Sequence, residues 1–139
     1  LMTRITRLEF SAESGPGSRM QWNHRGSGHV QVTVDGPDVF FQEAFTLDNG
    51  LPCQDRKCWH FGEEGIIFRH FREQRFQDIL LLEPDTSGIH LVAQAPYACP
   101  PDRYDGSLSL HDDTLELQLR ITGARKDEDI RYRYRADPG

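Results

Sequence analysis

Leu115-Glu116-Leu117-Gln118-Leu119-Arg120-Ile121, followed beyond Gly123 by Ile130-Arg131-Tyr132-Arg133-Tyr134-Arg135, is the stretch on which the fold turns. In its first half, apolar side chains alternate with polar ones. A period of two puts successive side chains on opposite faces of an extended chain, so this half reads as a strand with one buried face. The second half alternates as well, with Ile130, Tyr132 and Tyr134 on one face and three arginines on the other. Joined through Gly123 and a charged connection, the two halves form an antiparallel hairpin. Burying the arginines would cost several kcal/mol for each ion, so the apolar and aromatic face is expected to point inward. The arginines then face solvent beside Glu116.

The same pattern runs through the chain ahead of this hairpin. Met20, Trp22 and His24 alternate up to Gly26-Ser27-Gly28, which reads as a turn, and Val30, Val32 and Val34 alternate beyond it. Asp35-Gly36-Pro37-Asp38 turns the chain into Val39 to Thr46, a run rich in β-branched and aromatic residues, closed by Asp48-Asn49-Gly50. Arg56 to Phe61 and Ile66 to Arg72 flank a turn at Gly62 to Gly65, and Phe68 and His70 share a face. Ile79 to Glu83, Ile89 to Ala95 and Arg103 to Leu110 complete the series, with Pro84 to Gly88 as a further turn.

From Met20 onward this makes about nine or ten short strands at the spacing of a sandwich or barrel. No segment sustains a helical period. Successive hairpins suggest an up-and-down meander, and closing it removes the exposed edges that an open sheet would leave. The expected fold is therefore all-β, a single antiparallel β-barrel domain over residues 1–139, with a two-sheet sandwich as the competing arrangement. Residues 1–17, in which Ile5, Leu8 and Phe10 are irregularly spaced, read as a loose arm or a partial first strand.

Composition narrows the function. Sixteen basic against twenty-two acidic side chains give a formal charge of −6, and no basic cluster could track a phosphate backbone, so nucleic acid is not an expected partner. No apolar run has the length of a signal peptide or a membrane span, and the expectation is a soluble, cytoplasmic chain. Three cysteines, Cys53, Cys58 and Cys99, are an odd number and read as reduced thiols. Cys53, Cys58, His60 and Cys99 could supply four zinc ligands, but their spacing fits no compact zinc motif, and no metal or cofactor is expected. None of the cysteines or six histidines sits in a recognisable nucleophile turn, and no Gly-rich phosphate loop opens a helix.

Several spaced motifs carry a resemblance. Arg56 through Trp59, Phe68 through Phe76, Cys99-Pro100-Pro101-Asp102-Arg103-Tyr104 and Gly123-Ala124-Arg125-Lys126-Asp127, with Tyr134 further on, resemble an uncharacterised family of small bacterial and fungal domains of unknown function. The resemblance implies a lipocalin-like, calycin-type barrel, related in architecture to fatty-acid-binding proteins, and it implies no established activity. The chain departs from the family pattern at Tyr97 and Ala98, near where a histidine is usual, and at Ala124 and Glu128.

A barrel of this size either fills with side chains or holds one small ligand. The leading expectation is a small apolar or amphipathic ligand held among Trp59, Phe68, His70, Tyr132 and Tyr134, with the phenols and the imidazole orienting a polar group. Two alternatives stand beside it. One is an enzyme using a histidine or cysteine at the barrel mouth, such as His70 with Cys99; the other is a filled barrel acting through its outer surface as a protein-interaction module.

Overall fold

A short 3-10 turn at Met2–Arg4 leads into eleven strands: β1 (Ile5–Ser14), β2 (His24–Asp35), β3 (Asp38–Leu47), β4 (Pro52–Phe61), β5 (Ile66–Arg72), β6 (Arg75–Pro84), β7 (His90–Ala93), β8 (Tyr97–Cys99), β9 (Asp102–His111), β10 (Thr114–Thr122) and β11 (Asp127–Ala136). The computed structural model describes residues 2–19, 21–87, 90–93 and 95–137, with Cys99 by its backbone alone. Met20, Gly88, Ile89, Gln94 and the Cys99 side chain, which the sequence reading uses, lie outside the described residues. Among the described residues no helix is long and apolar enough to cross a membrane.

All pairings are antiparallel, and chain neighbours are sheet neighbours almost throughout, in the order β10-β11-β1-β2-β3-β4-β5-β6-β7-β9-β8. Pairing of β10 with β9 closes ten of these strands into an up-and-down barrel and leaves β8 as an extra strand. Short β8 continues along β9 where β7 ends, out of register with it: Val92 pairs with Ser107, and Tyr97 with Tyr104.

The inward faces follow from strand parity. Leu8, Phe10 and Ala12 on β1, Val39, Phe41, Phe45 and Leu47 on β3, and Leu115, Leu117 and Leu119 on β10 are buried together in one core. The last strand contributes Ile130, Tyr132 and Tyr134, all buried. Its arginines lie outside: Arg131 pairs with Glu116 and Asp129, Arg133 with Glu116, and Arg135 with Glu9.

Two expectations are corrected. The first seventeen residues are neither arm nor partial strand, because Ile5–Ser14 is a full strand paired with β11 on one side and β2 on the other. An irregularity between Ile5 and Arg7 puts Ile5 out of phase with Leu8 and Phe10, which hides the period of two. The second correction concerns Gly26-Ser27-Gly28, which lies within β2 and is not a turn, while residues 21–23 before it are irregular. Gly28 pairs with Leu8 and Gly26 with Phe10. A Cβ on Gly28 would lie 2.0 Å from the Ala44 carbonyl oxygen, so the close approach of backbone to backbone requires glycine there.

Candidate functional site

The inward face is not wholly apolar. On β4, Asp55 and Lys57 precede Trp59 at intervals of two and share its face; on β3, Glu43 falls between Phe41 and Phe45; on β5, His70 and Arg72 continue the face begun by Phe68. Register brings them level, since Glu43 pairs with Asp55 and Lys57 with His70. Five polar residues thus meet inside the barrel toward the end that carries the β3–β4, β5–β6 and β10–β11 connections.

Lys57 is the centre of the group and is 1% exposed. Its Nζ donates to Glu43 Oε1 at 2.5 Å and to Asp55 Oδ2 at 3.0 Å, and lies 3.5 Å from the centroid of the Tyr132 ring. Glu43 is fully buried and accepts a second hydrogen bond, at 2.6 Å, from the Tyr134 hydroxyl. Asp55 Oδ1 is 2.6 Å from His70 Nε2, and Arg72 Nε donates to His70 Nδ1 at 3.1 Å. Because a guanidinium can only donate, Nδ1 is an acceptor, and the proton of a neutral His70 therefore sits on Nε2, pointing at Asp55. Both ring nitrogens are engaged.

Charge and burial compete at each group. Burial disfavours the Lys57 ammonium, but Glu43, Tyr132 and Asp55 outweigh it and hold the group charged well above the usual lysine range. Burial also opposes ionisation of Asp55, yet Lys57 and His70 together keep it below the usual carboxylate range. At Glu43 desolvation wins over Lys57, and the carboxyl is pushed up. Tyr132 and Tyr134 are pushed up by burial and stay neutral hydroxyls.

The five residues singled out from sequence sit in one connected cluster. Trp59 packs on Phe68 with centroids 5.1 Å apart, Phe68 lies 6.1 Å from His70, and Tyr132 stacks on Tyr134 at 6.1 Å. Phe41 bridges the two halves, 5.7 Å from Trp59 and 5.0 Å from Tyr134. Trp59 and Tyr134 are completely covered, whereas the His70 side chain is 22% exposed and marks where the cluster meets solvent. The indole Nε1 of Trp59 is buried with no hydrogen-bond partner among the described residues. Sequence reading missed Glu43, Asp55, Lys57 and Arg72, although their parity with Phe41, Trp59 and Phe68 is visible in the chain.

Around the mouth, Arg72 lies over the Tyr104 ring at 4.9 Å, and Lys126 pairs with Asp102 at 2.9 Å. The loop at 15–23 covers another part of this end: Glu128 accepts from the Ser14 and Ser18 hydroxyls, and Trp22 packs on Phe10 at 5.7 Å. The suggested zinc-ligand set is divided by the barrel wall. Cys53 and Cys58, both free, fall on opposite faces of β4, and His60 bonds Asp38 on the outside. Burial pushes the Cys58 thiol up to about 11, which suits a packing residue better than a nucleophile. A depression of about 1180 Å³ lies on the outer wall, lined by Arg7, Glu9, His29, Arg133 and Arg135.

Comparison with known proteins adds little about activity. No curated protein matches the chain. Among solved structures it is similar to one described as a de novo design of a fluorescence-activating beta barrel, at 13% identity over 95% of this chain and 92% of that one, with a TM-score of 0.49. The family model described as "Family of unknown function (DUF6314)" matches residues 12–136, and the chain belongs to that family.

Proposed function

We propose that this barrel is a lipocalin-like binding module that takes one small amphipathic molecule through the end where His70, Asp55 and Arg72 meet solvent. The observation that carries this reading is the buried polar cluster around Lys57. A barrel core of the same volume made from hydrophobic residues is commonly as stable or more stable than one with a buried ion pair, so net stability does not account for the cluster. The Trp59 indole N–H, without a partner among the described residues, adds support, because leaving such a donor unsatisfied costs about 1–3 kcal/mol that a bound acceptor would recover.

Aromatic rings already occupy much of the lumen, which restricts the occupant to a small molecule seated near the mouth. Trp59 and Tyr134 form the floor, with Phe68, Tyr132 and His70 nearer the ligand. With both nitrogens of His70 engaged, recognition is favoured over proton transfer. The free thiols Cys53 and Cys58 fit a cytoplasmic setting. Native mass spectrometry of the purified protein, followed by thermal-shift screening of small amphiphiles, tests the reading. A stoichiometric co-purifying molecule, or a shift lost in the Tyr132→Ala variant, supports it; an empty protein that no amphiphile stabilises refutes it.

A further inference from the structure

Lys57, Lys126, Arg131, Arg133 and Arg135 each have a carboxylate partner, but Arg72 has none among the described residues. It is half-buried just inside the mouth, and its contacts are His70 Nδ1 at 3.1 Å and the face of the Tyr104 ring at 4.9 Å. Among the described residues Nε makes the one side-chain hydrogen bond, and the two terminal nitrogens, which form the fork that grips a planar oxyanion, have no partner. Asp55 is held away on the far side of the imidazole, bound to Nε2 and Lys57. Lys126 stands close enough for its ammonium and the Arg72 guanidinium to repel each other, and its partner is Asp102. Asp102 and Asp55 are thus both engaged by other groups, and Arg72 itself has no carboxylate among the described residues.

Resting on the binding function proposed above, we infer that Arg72, backed by Lys126, is the recognition site for a carboxylate, so that the ligand is a small carboxylic acid with an apolar or aromatic body. A carboxylate supplies the planar pair of oxygens that a guanidinium fork accepts. Arg72 is pre-set for this role. His70 fixes Nε and Tyr104 fixes the plane of the guanidinium, so little side-chain entropy is lost on binding. The apolar body then lies against Tyr104 and Tyr132, and the acid meets the fork at the mouth.

Calorimetric titration with 4-phenylbutyrate and with the uncharged 4-phenylbutan-1-ol separates this inference from the broader one. The wild-type protein should bind the acid at least about tenfold more tightly than the alcohol. Arg72→Gln should weaken the acid about ten- to a hundredfold and leave the alcohol unchanged, as expected for loss of a charge-assisted pair. Arg72→Lys, which keeps the charge but not the fork, should fall between them and guards against a folding defect in the first variant. If the acid and alcohol bind equally, or Arg72→Gln weakens both alike, the carboxylate site is wrong while binding in the barrel stands. If the wild type binds neither, both readings fall together.

Discussion

Replacing Lys57 with methionine removes a buried charge while nearly preserving the volume and flexibility of the side chain, so packing contributes little to the outcome. At separations of 2.5 Å to Glu43 and 3.0 Å to Asp55, and with an effective dielectric of about 20, the attractions lost are about 7 and about 5.5 kcal/mol. Desolvation of the ammonium, several kcal/mol, is recovered in exchange. What remains is a fully buried Glu43 carboxylate with only the Tyr134 hydroxyl to serve it, and the net cost should be about 3–5 kcal/mol at neutral pH. Because burial already raises the Glu43 pKa, the variant should recover stability as the pH is lowered and Glu43 takes up a proton. The paired variant Glu43→Leu/Lys57→Met should be more stable than Lys57→Met alone, since it removes the buried carboxylate and leaves the Tyr134 hydroxyl without an acceptor, at about 1–3 kcal/mol, while Asp55 loses Lys57 but keeps His70 in both variants. Urea unfolding followed by tryptophan fluorescence measures all three. A Lys57→Met protein within about 1 kcal/mol of wild type, with no gain on acidification, would refute the account of the cluster.

Leu117 is fully buried, and Leu117→Ala should cost about 2–5 kcal/mol in the same unfolding assay. Gly28→Ala forces a Cβ to within 2.0 Å of the Ala44 carbonyl oxygen and 2.5 Å of the Phe45 Cα, so a loss of more than about 3 kcal/mol, seen as a lower Tm, is expected. Arg133→Gln should change stability by less than about 0.5 kcal/mol, because its pair with Glu116, at 3.7 Å, is solvent-screened. Asp55 has a folded-state pKa below its ordinary 3.8, so its contribution is present above that value and is lost as the pH falls below it. Urea midpoints should consequently fall more steeply on acidification in the wild type than in Asp55→Asn. Glu43, shifted upward, adds a slope of the opposite sign, which is why the comparison is made against this variant.

Strand parity made most of the barrel legible, because a face that alternates reads the same whether its partner is near or far in the chain. The final hairpin is the clearest case. Leu117 and Tyr132 pair directly, and the arginines lie outside, as the cost of burying them requires. The first strand was obscure for two physical reasons: the irregularity after Ile5 breaks its period, and its partner β11 lies at the other end of the chain. Gly26 and Gly28 misled because glycine marks both turns and close strand approach, and only the position of Thr46 and Leu47 behind the first and of Ala44 and Phe45 behind the second distinguishes the two. The aromatic part of the site was readable from Trp59, Phe68 and the tyrosines. Its charged part was not, since Lys57 and Glu43 look like ordinary surface residues until each is seen to share a face with buried rings.

That charged part also bears on how the barrel closes. Tyr134 and Glu43 are 91 residues apart in the chain, and their hydrogen bond forms only when β11 has joined β1 and the sheet has curled round on itself. A slip of β11 by one residue would turn its other face inward, replacing Tyr132 and Tyr134 with arginines. Lys57, whose ammonium lies over the Tyr132 ring, would then meet a second buried cation, and Glu43 would lose the phenol that serves its second oxygen. An inward arginine would be repelled by Lys57 but drawn to Glu43 and Asp55, so the clear losses on slipping are the Tyr134–Glu43 hydrogen bond and the cost of burying the arginines. The interior is thus tied to the correct register through the Tyr134–Glu43 hydrogen bond, which a slipped strand cannot make.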